Sequence, residues 1–364
     1  MATRPRTTTA IARTALLLAL AGASHAAELP RFSSNAVWQQ PVDSAPLHPQ
    51  SASMIAAWTA LGGFGYGRMQ IDFSMVVNRA AVGVPTRTIS GYPYDIYYSP
   101  DCDPIGSSLP VPAGARIEGS AGLACDNEND DCHLLVVQGN TLYEAYHVDA
   151  DSPTTLESQC LVRWELDAQY SERLRGEHCT SADAAGFPIA PLLLNSDEVA
   201  AAAAIPGGTV GHALRFILPN ARMANDPALG GVSGRLYVRP ATHAGSPSGP
   251  VGTVPYGVRL RLRSNFPMAG YNAAAQAILR SMQRYGIVLA DGGNIALTAE
   301  SDVFNTHTWA SLGIGSRVFD TTPGALTVSA GDFEVIDTGP RIAETYDCVR
   351  EEPLPAALFA DGFE

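Results

Sequence analysis

The pattern of apolar and polar positions changes character at Gly62. From there to about residue 348, glycine and proline recur roughly every 8–12 residues between short β-rich runs, the spacing of a sandwich or barrel. The runs are residues 69–77, 133–138, 142–148, 214–218, 234–238 and 257–262, each alternating or wholly apolar. In the last, Val258, Leu260 and Leu262 point one way, and Arg259, Arg261 and Arg263 the other. Period-two alternation assigns the first set to the core and makes a ladder of guanidinium groups of the second. The expected fold is mostly β: a jelly-roll-like β-sandwich with a few short helices.

Helical spacing appears in few places. In residues 271–285, Ala274, Ala277, Ile278, Met282 and Tyr285 recur at three- and four-residue intervals, with Arg280, Gln283 and Arg284 opposite and Gly286 as the stop. Residues 287–290 then read as a buried strand, and Asp291-Gly292-Gly293-Asn294 as a tight turn. Asp197-Glu198 opens an alanine-rich helix, where the helix dipole favours acids. Residues 27–61 form a proline-containing approach segment with one short helix over 50–61, residues 62–348 a single β-rich domain, and residues 349–364 a polar tail.

The richest local pattern is the pair of strands around Gly139-Asn140, a two-residue hairpin turn. That turn pairs Gln138 with Thr141, Val137 with Leu142, Leu135 with Glu144, and His133 with Tyr146. One face therefore carries His133, Leu135, Val137, Leu142, Glu144 and Tyr146. A histidine, a carboxylate and a phenol gather at its open end, a set able to hold or move a proton and to stack on a sugar. The plain alternative is a partly exposed hairpin with ordinary polar residues.

Two further segments carry candidate chemistry. Thr180-Ser181-Ala182-Asp183, followed by a Gly186-Phe187-Pro188 turn, reads as a tight loop whose Asp183 either acts on substrate or caps the turn. His212, Arg215, His243 and the arginine ladder offer groups for carboxylates or sugar hydroxyls, and His212, His243 and Arg215 are candidates to converge on Asp183.

Composition then sets the compartment. Arg4, Arg6 and Arg13 precede a short apolar run over 15–21 and small residues at Ser24 and Ala26, the order of a secretory signal cut after Ala26. That run is far short of the roughly 20 residues that span a bilayer. All six cysteines (Cys102, Cys125, Cys132, Cys160, Cys179, Cys348) lie beyond the cut and read as disulfides. Cys125 with Cys132 closes a polar loop, Cys160 with Cys179 is the second choice, and Cys102 with Cys348 remains. The formal charge is −13, and losing the three arginines of the signal takes it to −16. Such a chain repels nucleic acid and anionic membranes. It has no lysine, which excludes Schiff-base chemistry on a lysine. No zinc spacing, Gly-x-Ser-x-Gly elbow, P-loop, dinucleotide loop or EF-hand occurs, so neither metal nor cofactor is expected.

The strings TSADAAGFPI, GHALRF, RPATH and RYGIVLADGG resemble a family of exported bacterial proteins of unassigned activity, over roughly residues 118–294. The resemblance implies that these strings share one domain and one site or core; it implies no reaction. The ending LFADGFE resembles a short tail carried by exported Gram-negative proteins.

Compartment, acidity, β-rich grammar and the tyrosines Tyr92, Tyr94, Tyr97 and Tyr98 lead to an expectation: a monomeric, soluble, secreted or periplasmic carbohydrate-active enzyme. A glycoside hydrolase needs two carboxyl groups flanking the sugar. Glu144 and Asp183 are the candidates, with Glu118 in reserve, and His133, Tyr146, His212 and Arg215 bind substrate. A polysaccharide lyase would use Tyr146 or His133 as base and Arg215 against a uronate. A non-catalytic protein would bind polysaccharide or another extracellular polymer through the tyrosines alone.

Overall fold

The computed structural model describes Met1, residues 29–127 and residues 130–354. The expected signal segment beyond Met1 and residues 355–364 of the expected tail lie outside the described residues. Strand exceeds helix, and the strands form several sheets without a closed barrel.

The largest sheet has six strands in the order β1 (Ile71–Met75), β15 (Leu297–Glu300), β11 (Leu214–Leu218), β14 (Ile287–Gly292), β13 (Arg259–Leu262) and β16 (Phe333–Val335). A four-stranded sheet runs β2 (Val77–Arg79), β5 (Leu134–Gln138), β6 (Thr141–Tyr146) and β9 (Cys160–Glu165). Another runs β4 (Ser108–Pro110), β3 (Thr86–Ile89), β8 (Thr155–Glu157) and β7 (Asp149–Ala150). Two short ladders pair β10 (Gly176–Glu177) with β18 (Val349–Arg350), and β12 (Leu236–Tyr237) with β17 (Ile342–Ala343). The pairs β1/β15, β2/β5, β3/β8 and β11/β14 are parallel. A jelly-roll-like sandwich pairs antiparallel throughout, so this mixed pairing differs from the expected one. Long connections between the paired strands are what permit it.

The hairpin of β5 and β6 has the expected register, from Gln138↔Thr141 to Leu135↔Glu144. Its two faces serve two cores. Leu135, Val137, Leu142, Val162 and Trp164 belong to the main core, and Leu134, Val136, Ala145 and Leu161 to a smaller one against β3 and β8. Because the middle of both faces is buried, a polar side chain there, such as that of Glu144, needs internal partners.

The helices are α1 (Ser51–Ala60), α2 (Ser196–Ala203), α3 (Ala273–Arg284) and α4 (Val318–Thr321). In α3, Asn272 caps the start through Ala275 N, and Gly286 follows the end at φ +76°, a left-handed stop. Ile278, Leu279 and Met282 are fully buried, each worth about 1.5–3 kcal/mol of transfer free energy. Two arginines of the guanidinium ladder are engaged inside the protein. Arg259 donates to the carbonyls of Val37, Gln40 and Tyr285, and Arg261 to those of Val42, Asp43 and Ala45. The two arginines thus clamp the approach segment, whose Phe32, Trp38 and Trp58 enter the main core.

All six cysteines pair. Cys125–Cys132 is as expected, but the other two bonds are Cys102–Cys160 and Cys179–Cys348, not Cys160–Cys179 and Cys102–Cys348. Spacing along the chain cannot report which strands neighbour one another, and here β9 puts Cys160 beside the loop of Cys102. No helix among the described residues is long and apolar enough to cross a membrane. The three disulfides fit a protein of an extracellular space.

Candidate functional site

The open end of the hairpin holds a buried ion pair. His133, which is 1 % exposed, meets a carboxylate oxygen of Glu118 through Nδ1 at 2.7 Å and the carbonyl of Ala182 through Nε2 at 2.9 Å. A carbonyl only accepts, so Nε2 carries a proton. The carboxylate at Nδ1 then favours a second proton there, and the ring is an imidazolium. Burial opposes that charge, but Glu118 outweighs it and raises the His133 pKa to about 9. Burial likewise opposes the Glu118 charge, but His133, with the Ser74 hydroxyl at 3.0 Å, brings that carboxyl down to about 2.

Next to Ala182, the loop folds back on itself. Ser181 Oγ donates to the Phe187 carbonyl at 2.6 Å, and Asp183 Oδ1 accepts from Ala185 N at 3.0 Å. Gly186 sits at φ +76°, and a Cβ there would run into Thr242 and the Cys179 carbonyl. Asp183 therefore caps its turn and has a second task. Its Oδ2 accepts from Arg215 Nε at 2.7 Å, with both side chains buried. Arg215, on β11, also reaches Asp291 Oδ2 at 3.2 Å and Thr298 Oγ1 at 3.3 Å.

Asp291 owes its position to a bulge. β11 and β14 keep step at Phe216↔Leu289 and then shift to Ile217↔Asp291, so the strand continues into the first half of the expected turn, to Gly292. Two carboxyls thus share one guanidinium. Burial raises both, Arg215 pulls both back, and the Asp183 charge raises Asp291 further. Asp291 is pushed up to about 7 and keeps 22 % of its side chain exposed. It is a carboxyl of raised proton affinity at an accessible surface.

That surface is a cleft of about 500 Å³. Asp183, Asp291 and Tyr146 line it, with the loop of Tyr97, Tyr98 and Asp101 on one side and Arg235, His243 and Tyr346 on another. Arg235 donates to the Tyr346 hydroxyl, which lies 2.9 Å from the Gly245 carbonyl as donor. The His243 ring is 5.1 Å from that of Tyr346. His243 Nδ1 donates to the Ala184 carbonyl at 2.7 Å, which leaves Nε2 as the acceptor nitrogen. Burial, with Arg235 nearby, lowers the His243 pKa to about 4, so the ring is neutral at ordinary pH. Asp131 is exposed on the same wall, and its charge adds to what raises Asp291. Tyr94 is exposed beside Tyr92, whose ring stacks on His147 at 4.4 Å, and Tyr98 is exposed beside Tyr146.

The structure gathers most of the residues expected from sequence in or behind one cleft wall. Tyr146 and Asp183 line the cleft. Glu118, His133 and Arg215 lie behind its wall as charge partners. Glu144 is wholly buried and occupied: it accepts from Ala190 N at 2.8 Å, Ile189 N at 2.9 Å and Trp164 Nε1 at 3.1 Å. Burial raises its pKa to about 7 against those backbone donors. His212 does not converge with Asp183. It pairs with Glu198 at 3.2 Å, and Glu198 also binds Arg31. Asp291, Asp131, Asp101, Arg235 and Tyr346 are cleft residues that sequence reasoning passed over. The one signal for Asp291 was its place at the carboxyl end of a fully apolar run. Among the described residues, no group of three or more His, Cys, Asp and Glu is placed to hold a metal ion.

Compared with protein-family models, with curated proteins and with solved structures, the chain matches none, so the geometry of the cleft alone carries the functional argument.

Proposed function

We propose that the protein is a secreted or periplasmic glycoside hydrolase that works at this cleft. The observation that carries the reading is Asp291: a partly exposed carboxyl, pushed up to about 7, in a wall that also bears tyrosines. Hydrolysis of a glycosidic bond needs a carboxyl able to give a proton at working pH, together with a second, ionised carboxylate. Asp291 fills the first role. Asp131, exposed on the same cleft and free of an ion pair among the described residues, fills the second better than Glu144 or Glu118, whose oxygens are engaged inside the protein. Asp183 and Arg215 act behind Asp291 by setting its proton affinity. Tyr98 and Tyr146 offer rings for stacking on a sugar, a use to which aromatic faces are suited.

The trio of Arg235, Tyr346 and His243 favours a second reading. A guanidinium beside a phenol and a neutral imidazole is what a polysaccharide lyase uses to neutralise a uronate, remove a proton and protonate the leaving oxygen. Electrostatics weigh against it. Asp101 and Asp131 face Arg235 across the cleft lining, in a chain of formal charge −13, which disfavours a polyuronate. A screen of purified mature protein against neutral, amino-containing and uronate polysaccharides separates the readings. New reducing ends without ultraviolet absorbance mark hydrolysis; an unsaturated, absorbing product marks the lyase; tight binding without product leaves the tyrosines as a binding platform only.

A further inference from the structure

Each disulfide has a cysteine beside the cleft wall. Cys102 follows Asp101, Cys132 follows Asp131, and Cys179 precedes Thr180, all wall residues. Cys348, the partner of Cys179, lies two positions beyond Tyr346. The three bonds are not equally sheltered. Cys102 and Cys160 are 3 % and 0 % exposed, whereas Cys125 and Cys348, one in each of the other two bonds, are half-buried.

Residues 342–350 cross this face as a strap. Its ends are held by short ladders, Leu236↔Ala343 with Tyr237↔Ile342, and Gly176↔Arg350 with Glu177↔Val349. Between them Tyr346 takes φ +60°, a left-handed conformation that costs a non-glycine residue energy and persists only where its surroundings impose it. Those surroundings are the wall itself. Glu344 accepts from Ala244 N and Tyr346 N, both at 2.8 Å, and the Tyr346 ring and hydroxyl engage His243, Arg235 and Gly245. One strap thus orders the wall that carries Arg235, His243 and Tyr346. Beyond it, Glu351 N donates to the Arg175 carbonyl at 2.8 Å and Leu354 pairs with Gln169, while the ion pair of Arg173 and Glu351 is 50 % and 30 % exposed and holds weakly. The Cys179–Cys348 bond spans 169 residues of chain, so without it the strap's return is a long-range closure. Neither hydrophobic core depends on the strap, which contributes only the partly buried Ile342.

We propose that the Cys179–Cys348 bond is a redox latch on this wall: a dithiol reaching Cys348 frees the strap, unseats Tyr346 and dismantles the wall while both cores stay folded. The reductant's thiolate attacks Cys348 Sγ, and Cys179 leaves as a thiolate that takes up a proton. The reductant's second thiol then displaces Cys348, so two electrons and two protons pass to the protein and the dithiol becomes a cyclic disulfide. The site is thereby tied to an oxidising compartment by its own construction. Only the activity arm of the test rests on the hydrolase reading.

Hydrogen exchange tests the latch in the mature protein, comparing wild type with the Cys179→Ser/Cys348→Ser double variant. Exchange over residues 235–246 and 342–350 is expected to rise at least about tenfold, with β11 and β14 unchanged and a single cooperative melt retained. Reducing-end release from whichever glycan the wild type cleaves is expected to fall at least about tenfold. Unchanged exchange in the strap, or faster exchange throughout the chain, overturns the latch. A wild type that cleaves no glycan, with strap exchange still raised in the variant, removes the hydrolase reading and keeps the latch.

Discussion

Arg215 and Asp183 form an ion pair of 2.7 Å from which water is excluded, at the junction of the central sheet and the cleft wall. Removing one partner strands the other charge. Arg215→Met is expected to cost on the order of 3–5 kcal/mol in urea denaturation, and the Arg215→Met/Asp183→Leu double variant to recover much of it. Equal losses in the single and double variants would show that packing, not charge pairing, is what Arg215 supplies.

The raised carboxyls give stability a pH dependence of definite sign. Asp291 and Glu144 are both pushed up to about 7 by burial, so the folded state holds their protons more tightly than the unfolded chain does. Their contribution is complete below the unfolded value of about 4 and is lost as pH rises towards 7. Asp291→Asn should flatten part of that decline, measured as denaturation midpoint against pH. A wild-type midpoint that rises steadily over this range would contradict it.

The Glu118–His133 pair behaves differently. His133 is raised to about 9, so its stabilisation is whole below about 6.5 and is lost as pH climbs through 9. Glu118 is lowered to about 2, so its share is whole above about 4.5 and is lost on acidification through 2. His133→Gln should therefore abolish a loss of stability between pH 6.5 and 9 and leave the range 4.5–6.5 least changed in slope.

Glu144 separates structure from chemistry. Gln in its place keeps one acceptor oxygen but turns an amide towards the donors of Ile189, Ala190 and Trp164. Glu144→Gln is expected to lose about 1–3 kcal/mol of stability while the folded fraction retains its turnover. Loss of turnover at full stability would restore Glu144 to the site.

The arginine clamp predicts a local opening. Arg259→Ala leaves the carbonyls of Val37, Gln40 and Tyr285 without their charged donor. Destabilisation of about 2–4 kcal/mol is expected, with new protease cleavage near residues 37–45. A clamp variant cut at the wild-type rate would show that Phe32 and Trp38 alone hold the segment.

What was legible in the sequence was local. The Gly139-Asn140 turn and the alternation around it give the hairpin register down to Leu135↔Glu144, and the three- and four-residue spacing gives α3. Long-range pairing was not legible, so two disulfides and the parallel pairs β11/β14 and β2/β5 were not anticipated. Glu144 looked like a cleft carboxylate because alternation tells faces apart but not which part of a face meets water, and here Tyr146 reaches the cleft while Glu144, on the same face, is buried. Asp291 looked like a turn residue because one bulge carries the strand further than Gly292-Gly293 suggests. His212 lies three residues before Arg215, yet pairs with Glu198 rather than with Asp183.

The pH–rate profile of glycan hydrolysis by wild type and Asp291→Asn tests the central claim most directly. For a responsive substrate, the account predicts wild-type activity that falls on the alkaline side with an apparent pKa near 7, and at least about a hundredfold loss in Asp291→Asn with its cooperative unfolding intact. An Asp291→Asn variant that hydrolyses the same substrate at the wild-type rate with the same profile would contradict it.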